Sequence, residues 1–198
     1  MRAVGFRRKG LSEGDSRILV SSILANLFLS DLQISPYPRF VEGSHFEETL
    51  FFSAIAASAV RALLIGRRAL IALGLPLLTR DYDFWIHGDD IAAFNAAISG
   101  LDLFPNHSPD EARARGRYVL ENDEKVDVIV AQTVYTVDSV RVTFDDVWAR
   151  RRIIEVTPGV PAAIPSLDDL ILTKRFGARP KDAEDIRMLE VLRSQEHQ

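Results

Sequence analysis

The sequence has 198 residues, 47% apolar and 26% charged, the proportions of an ordinary globular protein and not of a disordered, fibrous or membrane-embedded chain. It has no cysteine, which excludes disulfides, zinc-thiolate sites, iron-sulfur clusters and thiol nucleophiles, so any metal must be held by oxygen or imidazole. A formal net charge of -4 argues against nonspecific coating of nucleic acid, which needs many cations against phosphates, and leaves a local basic site open.

Residues 1–45 read as an N-terminal extension, either an appended helix or loosely packed chain. An amphipathic segment from Arg17 to Leu32 is followed by Ser35-Pro36-Tyr37-Pro38 and Glu42-Gly43-Ser44, whose Pro and Gly mark a linker or turn. The apolar run Ile18 to Leu29 follows Arg7, Arg8 and Lys9 as in a signal peptide. Glu13 and Asp15 intrude, however, and no small-x-small cleavage pattern follows, so a cytoplasmic protein is expected. Leu50 to Leu78 is broken by Arg61, Arg67 and Arg68 below the about 18 uncharged residues of a spanning helix. It is expected to be buried core, with no membrane partner.

From Phe46 a helix is expected, opened by Glu47 and Glu48, whose charges suit the positive end of a helix dipole, and running to about Val60. Ala62 to Ile65 reads as a buried strand closed by Gly66, and Arg67 to Leu73 as a short helix stopped by Gly74 and Pro76. Tyr82 to Ile86, aromatic and β-branched, is a second strand. After the turn His87-Gly88, Asp89 or Asp90 is expected to cap a helix from Ile91 to Ile98. Arg117 to Leu120 and Val126 to Val130 form a hairpin around Asn122-Asp123. Val140 to Thr143 and Arg152 to Val156 add strands, with a helical turn at Asp145 to Arg150 between them. Ser166-Leu167-Asp168-Asp169 resembles a capping box that starts a helix ending near Gly177, and Pro180 suits the first turn of a last helix through Leu192.

The chemically suggestive stretch is Thr79-Arg80-Asp81-Tyr82-Asp83-Phe84. Residues two apart on a strand share a face, so Asp81 and Asp83 would converge on one site while Tyr82 and Phe84 enter the core. Two facing carboxylates repel unless a cation lies between them, and Mg2+, a hard cation that keeps positions open for phosphates, is the natural occupant. The motif alone carries little. At roughly one Asp in twenty residues, a chain of this length has about an even chance of containing one. The four histidines, His45, His87, His107 and His197, have no ligand spacing and are assigned no metal. Phe84 and Trp85 read as core, not as a base-stacking platform.

More specific is the setting. Ile65-Gly66, one further residue, thirteen more, then Asp81-Tyr82-Asp83-Phe84 resembles the signature of the DNA polymerase β nucleotidyltransferase superfamily. Ala69-Leu70, Gly74, Pro76 and Thr79-Arg80-Asp81-Tyr82-Asp83 are similar to the pattern of its small MNT and AbiEii-type proteins. Lys125-Val126-Asp127-Val128 resembles the strand that bears the family's third carboxylate. Leu170 to Lys174 and Arg179-Pro180-Lys181-Asp182 through Asp185 resemble the C-terminal helices. The match covers roughly residues 60–192.

This resemblance implies an α+β (α/β) domain over 46–198 with the minimal nucleotidyltransferase fold, a mixed sheet flanked by helices, ending in C-terminal helices. It implies Asp81, Asp83 and Asp127 as catalytic and metal-binding residues for Mg2+ or Mn2+, with an NTP as substrate. Gly66 would let backbone amides approach the triphosphate, and Thr79 belongs to the nucleotide-binding stretch. Lys174 and Lys181 either lend cations to phosphates or form salt bridges with Asp182 and Asp185. Arg67 departs from the small residue expected after the Gly, and either blocks the triphosphate or places a guanidinium against it. The acceptor would be a protein, RNA or small-molecule hydroxyl, and the partner a cognate toxin or antitoxin in a toxin-antitoxin or phage-defence pair. Two alternatives stand beside this: a protein of the same fold that no longer catalyses and serves for binding, and an unrelated α/β domain matching by chance.

Overall fold

The computed structural model describes residues 46–196, apart from residues 123 and 178. The chain divides into two units, Met1–Ser44 and His45–Gln198, and the second is the one described below. The segment Arg17 to Leu32, the apolar run within it and the Pro-Gly linker lie outside the described residues. Among the described residues no helix is long and apolar enough to cross a membrane.

A first helix, α1 (Glu48–Ala57), lacks a side-chain cap and is held instead by Phe51 and Phe52, both buried. Their rings pack within 5.3–6.3 Å of Tyr82 and Phe84, in tilted and edge-on geometries that favour aromatic pairs beyond the area they bury. Strand β1 (Ala62–Ile65) leads directly into α2 (Gly66–Ala72), and β2 (Tyr82–Ile86) follows. All three match their expected positions to within a residue. Arg68 of α2 ties to α1 through Glu48 at 3.1 Å and lies 4.3 Å over the Tyr82 ring.

A single 3-10 turn, Gly88–Asp90, then opens α3 (Ile91–Ile98). Neither expected aspartate caps it. His87 Nδ1 accepts the Asp89 amide at 3.2 Å, and the Asp90 carboxylate instead receives the Arg61 guanidinium at 2.8 and 3.0 Å together with the Arg61 amide. A charge-assisted fork outbids a single amide bond.

The segment before the hairpin, unassigned in the sequence reading, holds two elements: a short strand β3 (Phe104–Pro105) and α4 (Pro109–Arg115). Helix α4 has a full capping box between Ser108 and Glu111, Pro109 in its first turn, and Gly116 at φ +75 as its left-handed stop. Strands β4 (Arg117–Glu121) and β5 (Lys125–Ile129) form the expected hairpin.

The main sheet runs β1-β2-β5-β4-β3, antiparallel except for the central β2-β5 pair, which is parallel. It is a mixed sheet in an α+β domain, as expected. Period-two alternation sends Tyr82, Phe84 and Ile86 to one face, with Val126, Val128 and the helices α1 and α3, in the larger core. The opposite face carries Asp83 and Trp85, and its Leu63, Ile65 and Trp85 belong to a second, smaller apolar cluster containing Phe144 and Val147, with Ile129 packed against it.

The expected strand at Val140 to Thr143 exists as β7 (Arg141–Thr143), paired with β6 (Thr133–Tyr135), which the sequence reading did not find. Helix α5 (Phe144–Ala149) follows. Strand β8 (Arg152–Thr157) pairs with β9 (Val160–Ile164), again not foreseen, because Pro161 and two alanines blur the β signal.

The C-terminal pair is α6 (Leu167–Lys174) and α7 (Pro180–Glu196). Ser166 Oγ accepts the Asp169 amide at 3.2 Å, as a capping box requires. The return bond differs: Asp169 receives the Ser166 hydroxyl at 2.6 Å and a two-point contact from Arg150 at 2.7 and 3.0 Å.

Candidate active site

One row crosses the open face of the sheet. Ile65 pairs with Asp83, Asp83 with Asp127, and Asp127 with Val119. Neighbouring strands lie about 4.8 Å apart, so the parallel register of β2 and β5 presents two carboxylates side by side. Asp83 is half-buried. Burial, then the charges of Asp127 and Asp81, push its carboxyl above the usual carboxylate range, against the opposing pull of Lys174 and Arg179. Asp127 is more open, and its Oδ2 accepts a hydrogen bond from Lys125 Nζ at 2.9 Å.

Asp81 stands apart. Strand β2 begins at Tyr82, so Asp81 lies just before the strand, exposed, its amide donating to Thr79 Oγ1 at 3.1 Å. Thr79 therefore shapes the turn that carries Asp81. The Asp81 charge still reaches Asp83 and Lys125. Among the described residues no three carboxylate or imidazole side chains are close enough together to enclose a metal ion. The arrangement is a two-carboxylate row with a third acid on its rim. As a donor set it fits Mg2+ or Mn2+, which take oxygen ligands from one or two carboxylates and keep other positions for phosphates. Burial, more than the neighbouring carboxylates, raises the proton affinity of Asp83, and a cation between the two carboxylates would oppose that rise.

Gly66 has φ +67, and a Cβ there would collide with the Asp83 carboxylate, lying inside contact distance of Oδ2 and 2.7 Å from Cγ. Glycine is required by the backbone conformation and by the carboxylate packed upon it.

Arg67 is held in an ion pair. Its guanidinium turns to α7 and pairs with Asp185, Nε at 3.1 and 3.2 Å from the two carboxylate oxygens. Lys174 has the two aspartates named for it as ion-pair partners, Nζ lying 2.7 Å from Asp185 Oδ2 and 3.9 Å from Asp182, and it is buried at 4% exposure. Asp185 is fully buried. Burial pushes its carboxyl up, but the Arg67 and Lys174 hydrogen bonds outweigh that and leave it below the usual range. Lys181 is exposed on α7 and does not line the cleft described next.

The carboxylate row opens into a cleft of about 970 Å3. Besides Asp83 and Asp127 it is bordered by five basic side chains, Arg115, Arg117, Lys125, Lys174 and Arg179. The sequence reading missed Arg179, Arg115 and Arg117. Arg179 sits beside Lys181 in the quoted Arg-Pro-Lys-Asp stretch, and its side chain is 60% exposed, steered by Asp182 at 2.8 and 3.2 Å. Arg115 and Arg117 flank Gly116, where a recognised α4 would have placed them at the sheet edge. The cleft thus joins an acidic floor to a basic border, a combination suited to an anionic substrate bridged by a divalent cation.

No family model matches the chain, and no curated protein matches it. Among solved structures it is similar to a Thermotoga maritima protein described as a candidate nucleotidyltransferase, with a TM-score of 0.47 and 14% identity over 74% of this chain and 88% of that one. At that distance the likeness fixes neither family nor reaction.

Proposed function

We propose that this chain is a metal-dependent nucleotidyltransferase that moves a nucleoside monophosphate from an NTP onto a protein, RNA or small-molecule hydroxyl. The observation that carries this is the in-register pair Asp83 and Asp127 at the floor of a cation-bordered cleft.

Asp83 and Asp127 would hold Mg2+ or Mn2+, with Asp81 joining from the rim. Bound there, the ion would neutralise phosphate charge and acidify the acceptor hydroxyl. Arg179, exposed and steered by Asp182, would bind the outer phosphates, and the field of Lys174 behind it adds to the same pull. The acceptor oxygen attacks the α-phosphorus, the new P–O bond forms as the bond to the β-phosphate oxygen breaks, and pyrophosphate departs. The open Asp127 carboxylate would take the acceptor proton, once Lys125 yields its hydrogen bond. The pairing of Arg67 with Asp185, and its place outside the cleft lining, support a reading in which it would leave the triphosphate room.

The resemblance of residues 60–192 to small MNT and AbiEii-type proteins extends the proposal to the cytoplasm and to a cognate toxin or antitoxin as partner. The test is incubation of the protein and cell extract with labelled NTPs and Mg2+. Label is expected on a protein, an RNA or a small molecule, and is expected to vanish with Asp83→Asn. Equal labelling by that variant, or none by the natural chain with any of the four NTPs, would refute the proposal.

A further inference from the structure

Next to its carboxylate row the cleft has an apolar strip, flanked by Arg117, the residue opposite Ile129 on β4. One same-face step along β2 and β5 from the Asp83-Asp127 row, roughly 6.6 Å at strand rise, comes the pair Trp85 and Ile129. Trp85 is fully buried and fixed by a hydrogen bond from its Nε1 to the Ala131 carbonyl at 2.9 Å. Phe176, just past the end of α6, meets it edge-on, ring centres 5.5 Å apart at 88°. Unlike Trp85, Phe176 is only partly buried, and with Ile129 it lines the cleft.

The peptide group that leads into Phe176 is pinned through both of its polar atoms: the Phe176 amide donates to the Thr173 carbonyl at 3.2 Å, and the Arg175 carbonyl accepts the Val137 amide at 2.8 Å. A partly exposed aromatic ring, braced by a rigid indole and held by an anchored backbone, is a surface prepared for another flat apolar group at little ordering cost. Asp83 and Asp127, which suit a cation bridging to phosphates, lie one strand step away on the same face, and Arg179 borders the same cleft. That sequence of polar and apolar surfaces is the chemistry of a nucleotide.

Resting on the nucleotidyltransferase reading, we infer that Phe176, with Ile129 beside it, is the shelf on which the nucleobase of the substrate stacks. Base-aromatic stacking tolerates any base, so this shelf supplies affinity and orientation more than choice among bases.

Calorimetric titration of the full chain with ATP and, separately, with inorganic tripolyphosphate, both with Mg2+, tests the inference. The natural chain is expected to bind ATP at least about tenfold more tightly than tripolyphosphate. Phe176→Leu is expected to weaken ATP about tenfold and leave tripolyphosphate unchanged, and Phe176→Tyr to keep both. Unchanged tripolyphosphate binding also certifies that each variant is folded. Equal affinity of the natural chain for the two ligands, or an equal effect of Phe176→Leu on both, overturns the shelf and leaves the phosphate site standing. Failure of the natural chain to bind either ligand overturns the shelf together with the nucleotidyltransferase reading.

Discussion

Asp185 and Asp83 are both aspartates set among basic side chains, yet their situations are opposite. Asp185 is sealed between α2, α6 and α7 with a lysine and an arginine in hydrogen-bonding contact, and its carboxyl is held below the usual range. Asp83 faces another carboxylate across one strand spacing, feels its nearest cations only at a distance, and is pushed the other way. The comparison separates two uses of charge. Where opposite charges are paired out of water they lock helices together, and where like charges are left facing a cleft they are ready for a ligand.

The largest effect should come from breaking the sealed cluster. Asp185→Ala leaves Lys174 buried without its nearest acid and is expected to cost about 3–5 kcal/mol in urea denaturation. Pairing Asp185→Leu with Lys174→Met should recover much of that loss, because two charges leave the interior together and Arg67, partly exposed, can turn to water. Gly66→Ala comes next. It combines a left-handed backbone position with a collision against Asp83, and about 1–3 kcal/mol of destabilisation is expected in the same assay.

Smaller and of opposite sign is the pH response. Asp83 keeps its proton in the folded state to a higher pH than in the unfolded chain, so its contribution to stability falls as pH rises from the ordinary carboxyl value of 3.8 to the raised folded value, and stays lower above it. Asp83→Asn should therefore raise the urea midpoint at neutral pH and remove that acidic-range decline. Asp185, with its lowered folded value, contributes fully above 3.8 and loses that contribution as pH falls through the folded value. Urea midpoints of the two single variants across the acidic range should diverge in these opposite directions. The smallest effect is Lys125→Ala. It breaks an exposed pair and should move stability by less than about 0.5 kcal/mol, while tightening Mg2+ binding by freeing Asp127, as calorimetry can measure.

Much of the frame was legible in the sequence. Strands β1 and β2, helix α3 and the β4-β5 hairpin have continuous apolar or aromatic runs closed by Gly or turn residues, and they appear where those signals put them. Helix α4 was legible but unread: Ser108-Pro109-Asp110-Glu111 is a complete start signal and Gly116 a stop, though its few apolar residues hid it. Strands β6 and β9 were hard to see because their pairing is long in neither case and their residues are β-neutral or proline.

Less of the candidate site could be read. The family-like motifs named Asp83, Asp127 and Gly66, which the fold sets next to one another. They could not tell which basic residues face the cleft. Lys174 and Arg67 share the charge of Arg179, and only packing against α7 decides that the first two serve Asp185 while Arg179 stays open. Asp81 lies one residue before the strand, so alternation along the strand does not by itself place its side chain.

The most direct test of the central claim, that Asp83 and Asp127 form a metal-dependent nucleotide site, is calorimetric titration of an NTP into the natural chain and into Asp83→Asn, each with and without Mg2+. The account predicts binding by the natural chain that depends on Mg2+ and is lost in the variant, which remains folded and no less stable. Binding of equal strength by the two proteins, or binding indifferent to Mg2+, would contradict it.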